Sequence, residues 1–194
     1  MMRIITGTAR GTKLFTNEGL ETRPTSERAK EALFSIIQFD IEGRSVLDLF
    51  SGTGQLALEA LSRGASSAVM VDKSRAAISI ITKNAEKTHL IDKCKIVSSD
   101  YFAYLTQNNS QKFDIVFIDP PYNENIIPEV LTKLNKNNIL KPTSIIVCES
   151  ENSDVSIFGE NSNILKDKYT VVKSSKYGIS YITILKPVFD KEEI

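Results

Sequence analysis

Apolar residues along this chain follow two rhythms that alternate. Short, dense apolar runs stand at 46–49, 67–71, 113–118 and 144–149. Their length and density are those of strands buried on both faces in a parallel sheet. Between them, apolar side chains recur every three or four positions. Leu56, Ala57, Leu58, Ala60 and Leu61 follow the first run, and Gly64 is placed to end that helix; Ala77, Ile78, Ile81 and Ala85 follow the second, over about 74–88. A third strand at 95–100 precedes a short amphipathic stretch with Phe102 and Leu105, and a further helix is expected at about 126–136. Strand and helix in alternation predict a parallel α/β sheet. Two last runs, 169–173 and 179–185, are joined at Tyr177-Gly178 and predict an antiparallel hairpin at the sheet edge.

Ahead of the first run the pattern changes. Ile4 and Ile5 face Leu14 and Phe15 across the turn-rich Gly7-Thr-Ala-Arg-Gly11, so residues 1–17 predict a β-hairpin. Pro24 keeps its predecessor extended, and Thr25 or Ser26 can cap a helix reaching about Phe39, with Ala29, Leu33, Ile36 and Ile37 on one face. This gives an amino-terminal appendage over 1–40 and a nucleotide-binding core domain over 41–188. Residues 151–165 predict a polar loop with one short turn, and 190–194 a frayed tail.

Charge adds one contrast. The 24 basic and 24 acidic residues cancel, which counts against a protein that coats nucleic acid non-specifically. The predicted hairpin nevertheless carries Arg3, Arg10 and Lys13 and no acid; from charge alone a solvated edge hairpin is the favoured reading. No apolar run approaches membrane-spanning length and no signal-peptide pattern is present. Cys94 and Cys148 both fall in strand-like runs, the expectation for a reduced, cytoplasmic protein. The single histidine, His89, stands near a helix end and predicts a solvated or capping role.

The candidate chemistry lies at strand ends. Asp48, Asp72, Asp100 and Asp119 close consecutive predicted parallel strands, where ligands bind in doubly wound folds. Gly52 and Gly54 follow Asp48 and allow a sharp turn and close approach to a ligand. Asp72, twenty residues after Gly52, is at the offset from which an acid reaches a ribose hydroxyl, or it caps the helix beginning at Ser74. Clustered carboxylates also suit a hard cation, and Gly52, Gly54 and Ala57 nearly complete a dinucleotide fingerprint. Neither alternative explains Asp119-Pro120-Pro121-Tyr122. An exocyclic amine on a nucleobase is a poor nucleophile because its lone pair is delocalised. The Asp119 carboxylate and the Pro120 carbonyl can accept its hydrogens and stabilise developing positive charge. Pro121 fixes the turn and Tyr122 offers a face for a flipped base.

This combination resembles class I S-adenosylmethionine-dependent methyltransferases that act on amino nitrogens. More narrowly it resembles the bacterial RsmD family of 16S rRNA guanine-N2 methyltransferases. The matching segments are Arg3-Ile-Ile-Thr-Gly, Arg10-Gly, Lys13-Leu, Arg23-Pro-Thr, Glu31-Ala-Leu-Phe, Asp48-Leu-Phe-Ser-Gly-Thr-Gly, Glu59-Ala-Leu-Ser-Arg-Gly-Ala, Asp119-Pro-Pro-Tyr and Tyr177-Gly, in family order across nearly the whole chain. Ala57 stands where the family usually has glycine, and Gln55 where a small residue is common.

The resemblance implies a Rossmann-like fold with a seven-stranded mixed, mostly parallel sheet, and S-adenosyl-L-methionine as cofactor. It implies that Asp48 and the Gly52–Gly54 loop hold the methionine part, Asp72 the ribose hydroxyls and Asp100 the adenine amine, with Tyr101 packed along the adenine and Phe50, Ser51 and Lys73 also binding the cofactor. Asp119, Pro120, Pro121 and Tyr122 would receive the guanine, and Arg3, Arg10, Lys13, Arg23 and Thr25 would engage the RNA. No metal is expected. The implied partner is 16S rRNA within the small ribosomal subunit or its assembly intermediate, met by a monomer. An adenine-N6 methyltransferase and a non-catalytic assembly factor are the competing functional readings.

Overall fold

The dense apolar run ahead of the glycines forms β1 (Ser45–Asp48), and its last three residues are buried. The computed structural model describes residues 2–16, 27–107, 111–121, 126–150, 157–159 and 162–189. Arg23, Pro24, Thr25, Ser26, Tyr122, the tail at 190–194 and most of the 151–165 stretch lie outside the described residues. The chain divides into two compact units, Met1–Tyr101 and Phe102–Ile194.

In the first unit β1 pairs in parallel with β2 (Ser67–Asp72), in register from Ser45↔Ser67 to Asp48↔Met70. On its other side β2 pairs in parallel with β3 (Cys94–Ser98), from Ala68↔Cys94 to Asp72↔Ser98. The helices are α1 (Glu27–Ile36), α2 (Gln55–Ser62) and α3 (Arg75–Lys87). Val46, Leu47, Met70 and Val71 are fully buried, which is why these strands tolerate almost no polar residue inside the run. Ser74 caps α3 by accepting the Ala77 amide. His89 follows α3 with a positive φ of 57° and donates its amide to the Glu86 carbonyl, a helix-terminating geometry. α1 stops at Ile36, and the stretch reaching Phe39 belongs to a separate 3-10 turn, Gln38–Asp40.

The second unit contains α4 from Phe102 onward (the helix spans Tyr101–Gln107), β4 (Phe113–Ile118), α5 (Ile127–Lys136), β5 (Leu140–Ser150), α6 (Ser162–Lys168), β6 (Tyr169–Tyr177) and β7 (Ser180–Pro187). All six residues of β4 are buried. Its one acid, Asp114, is neutralised by Lys141 at 2.7 Å. β4 and β5 pair in parallel, while β5–β7 and β7–β6 pair antiparallel. The predicted terminal hairpin is therefore present, with Tyr177 opposite Ser180. The full strand order is β3-β2-β1-β4-β5-β7-β6, a mixed seven-stranded sheet of the α/β Rossmann-like type.

Three further expectations are corrected. β5 begins at Leu140, earlier than the apolar run at 144, because the register skips from Phe113↔Leu140 to Ile115↔Ile145. Ser144 Oγ holds that irregularity, accepting the Lys141 amide and donating to the Phe113 carbonyl. The polar stretch read as loop to 165 is already helical from Ser162, where α6 buries Leu165. Finally, β3 ends at Ser98 and β4 at Ile118, so Asp100 and Asp119 stand just beyond their strands rather than on them.

Candidate active site

In the first unit the chain leaves β1 through Leu49 and Phe50 into a tight turn. Ser51 donates its amide to the Val71 carbonyl and its hydroxyl to the Asp48 carbonyl, at 3.1 and 2.9 Å. The Gly54 amide returns to the Ser51 carbonyl at 2.6 Å. Gly52 and Gly54 have φ of 54° and 79°, a region that side chains rarely adopt, and both residues are needed to make the reversal. A Cβ on Gly54 would press on Met70, Ile81 and Leu58, whereas one on Gly52 would point into open space. The backbone at Gly52 is therefore the approachable side of the turn.

Asp72 closes the turn from β2. One carboxylate oxygen accepts the Gly52 amide and the other the Ser74 amide, each at 2.8 Å. Of the two roles weighed for this acid, the one at the entry to α3 is seen in the Ser74 contact, and the same carboxylate also pins the glycine turn. Asp48 is buried, and its Oδ1 has no hydrogen-bond partner. Burial pushes its carboxyl up to about 7, helped by the charge of Asp72 and opposed by the Phe50 and Ala57 amides and the Ser51 hydroxyl. Phe50 and Tyr101 form an aromatic pair with centroids 5.2 Å apart and planes tilted by 44°. Lys73 and Asp100 are exposed.

In the second unit, Asp119 is half-buried, Pro120 buried and Pro121 exposed. A fully buried strand followed by two prolines restricts the backbone from which Asp119 projects. Among the described residues, no group of three or more His, Cys, Asp or Glu side chains is placed to hold a metal ion.

The amino-terminal segment contains more than its charge pattern announced. Arg3 and Lys13 face each other in an isolated antiparallel bridge, without the ladder of a full hairpin. The segment is fastened chiefly through its backbone. Glu59 on α2, with no exposed surface, accepts the Ile5 and Thr6 amides at 2.7 and 3.0 Å and pairs with Arg63 at 2.8 Å. Lys30 Nζ donates to the Arg3 carbonyl at 2.6 Å and lies 3.7 Å from Glu59. Ser62 takes the Ala9 amide on its hydroxyl and the Thr8 amide on its carbonyl. Gly7 has φ of 87°, and a Cβ there would sit 1.8 Å from the Ser62 carbonyl oxygen, so only glycine fits this crossing. Arg3, Arg10 and Lys13 are all exposed. Sequence reasoning missed Glu59, Ser62, Lys30 and Asn84 as working residues. The available signal was a polar side chain at a core-facing helical position, which folds retain only when it is hydrogen-bonded.

The comparisons with known proteins bear on the whole of this arrangement. The family model described as conserved hypothetical protein 95 matches residues 2–186. The ribosomal RNA small subunit methyltransferase D of Haemophilus influenzae is 35% identical, over 89% of this chain and 91% of that protein. The chain belongs to this methyltransferase D family. Its Escherichia coli counterpart is also 35% identical, over 77% of this chain and 75% of that one. The solved Escherichia coli protein yhhF superposes with a TM-score of 0.82 at 30% identity, covering 96% and 97% of the two chains. The match from residue 2 takes in the segment fastened by Glu59 and Ser62 as well as the glycine turn. At the start of α2, Ala57 is fully buried and Gln55 almost so, and the Ala57 amide helps to hold the Asp48 carboxyl down.

Proposed function

We propose that this chain transfers the methyl group of S-adenosylmethionine to the exocyclic N2 amine of a guanine in 16S rRNA. The chain is an S-adenosylmethionine-dependent rRNA methyltransferase of the family named above, and its relatives are named for the small ribosomal subunit. The observation that carries the finer reading is Asp119 followed by Pro120 and Pro121 at the end of a fully buried strand. Asp119 accepts hydrogens of the amine and draws its lone pair out of the ring, and the Pro120 carbonyl takes a second hydrogen. S-Adenosylmethionine supplies a methyl group on a positively charged sulfur. When bound it would deliver that methyl to the nitrogen and leave as the neutral sulfide, while the Asp119 carboxylate holds the amine hydrogens, one of which passes to solvent as a proton.

The first unit fits that cofactor. The partnerless oxygen of buried Asp48 suits the cationic amino-acid end, and the open side of Gly52 suits close backbone approach. Asp72 presents carboxylate oxygens to ribose hydroxyls with Lys73 next to it, while the Phe50 and Tyr101 rings, with Asp100, suit the adenine. Ser51 and Gly54 keep the turn in shape. Exposed Arg3, Arg10 and Lys13, with Arg23 and Thr25, meet RNA phosphates, Tyr122 stacks on the flipped guanine, and the protein acts as a cytoplasmic monomer on the small subunit or its assembly intermediate. These assignments divide the chain into an RNA-engaging part over 1–40 and a methyltransferase domain over 41–188.

The deciding experiment supplies tritiated S-adenosylmethionine to small-subunit particles from a strain lacking this gene and maps the label. Label on a guanine N2 supports the reading. Label on an adenine N6, or transfer to duplex DNA instead, replaces it with the adenine reading. Particle binding without any transfer leaves an assembly factor.

A further inference from the structure

Asn84 occupies an inward position on α3 and has no exposed surface. Its side-chain amide makes three hydrogen bonds to backbone groups far away in sequence. Oδ1 accepts the Phe15 amide at 2.7 Å, and Nδ2 donates to the Phe15 carbonyl at 3.1 Å and to the Thr53 carbonyl at 2.9 Å. Thr53 is the residue between Gly52 and Gly54, and Phe15 stands two residues after Lys13. One rigid planar group therefore joins the glycine turn to the basic amino-terminal segment. α3 adds a second hold on the same residue, since Lys87 Nζ stands 4.2 Å from the centroid of the Phe15 ring. The turn and the segment also meet at Thr53 Oγ1, 3.1 Å from Met2 Sδ.

We infer that Asn84 is a positioning residue that couples cofactor binding to RNA binding. This rests on the reading in which the glycine turn holds S-adenosylmethionine and the amino-terminal segment engages RNA. The physics is that of a shared, buried, fully used amide. Thr53 cannot shift away from Asn84 without leaving a buried donor unpaired, and neither can Phe15. A ligand that fixes the turn thereby fixes Thr53, the Asn84 side chain and Phe15 in sequence. The segment bearing Arg10 and Lys13 then loses less freedom when RNA arrives. Coupling of this kind is reciprocal, so bound RNA tightens the cofactor by the same factor.

The test measures binding of unmethylated small ribosomal subunits to the full chain with and without saturating S-adenosylhomocysteine. The unaltered protein is expected to bind at least about 5-fold tighter with it, at the low end of ordinary allosteric coupling. In Asn84→Ala the ratio is expected to fall to near one, a change that a general loss of stability does not produce by itself. A ratio of one in the unaltered protein, or an undiminished ratio in Asn84→Ala, overturns the inference. Hydrogen exchange on the unaltered protein covers a variant that fails to fold. S-Adenosylhomocysteine should slow exchange of the Phe15 amide, and unchanged exchange overturns the coupling. If the unaltered protein binds no subunits in either state, the substrate reading fails, and Phe15 exchange still decides whether Asn84 transmits the state of the turn.

Discussion

The Glu59 carboxylate on α2 accepts the backbone amide of Ile5 at 2.7 Å, with Lys30 Nζ 3.7 Å away and neither side chain exposed. Removing one member of a buried ion pair leaves the other charge in low dielectric, at a cost of roughly 3–5 kcal/mol. Glu59→Ala is therefore expected to lower stability by about that amount, and Glu59→Gln, which keeps an acceptor oxygen, by less. Urea unfolding of the three proteins checks both the size and the order. Equal midpoints would mean that the pair does not hold the segment in place.

Asp119→Asn should separate chemistry from binding. The amide keeps the shape of the carboxylate but accepts more weakly and carries no charge. Methyl transfer is expected to fall by about 100-fold or more, the scale for losing one aimed electrostatic group. Calorimetric affinity for S-adenosylhomocysteine should stay within a few-fold of the original. Binding lost in step with activity would make Asp119 a cofactor ligand.

Asp48 gives a pH dependence with a definite sign. In the fold, burial holds its carboxyl up to about 7, against an ordinary value of 3.8. The folded state therefore keeps this proton while the unfolded chain releases it, and this group's contribution to stability declines as pH rises between those values. Asp48→Asn, which never ionises, is expected to be more stable than the original above pH 7, by a few kcal/mol at most. The gap should close as pH falls toward 4. Cofactor binding should show the opposite preference, since a cationic ligand favours the ionised carboxylate. Affinity is expected to rise with pH through about 7, with proton release visible by calorimetry in buffers of different ionisation heat. Pairwise denaturation curves at pH 5 and pH 8 and that titration together decide the assignment.

Arg10→Ala with Lys13→Ala addresses the RNA contact. Both side chains are exposed, so melting temperature and cofactor affinity should hardly change. Each lost phosphate contact is expected to flatten the logarithmic salt dependence of subunit binding by about 0.9 for duplex-like RNA and about 0.7 for single strands. An unaltered slope would place the RNA grip elsewhere on the chain.

How much of this could be read beforehand depended on where each residue finds its partner. Asp48, Gly52, Gly54 and Asp72 were legible because an acid inside an apolar run and paired glycines after it are local signs of local geometry. Their connection, the Asp72 carboxylate on the Gly52 amide, adds a bond that leaves no trace in the sequence. Glu59 and Asn84 were legible only as family letters or helix positions. Their partners include backbone amides and carbonyls some thirty to seventy residues away, and a backbone group has no complementary residue type to look for. The amino-terminal hairpin was overdrawn for the same reason. The Ile5, Thr6 and Ala9 amides go to α2 side chains and so are unavailable for a ladder, while Ile4 and Leu14 still donate across to the Thr12 and Met2 carbonyls.

The fastening of that segment by its main chain has a consequence for how the enzyme can change. Ile5, Thr6, Thr8 and Ala9 are held by N–H groups that every residue except proline carries. The clasp thus places little demand on side-chain identity at the exposed positions, apart from glycine at position 7. Arg10 and Lys13 can be exchanged for other residues while the mount stays the same. Under the proposed RNA-engaging role, the arm behaves as a socket with interchangeable contacts, one that drift or an engineer can refit to a different RNA surface without rebuilding the rest of the chain.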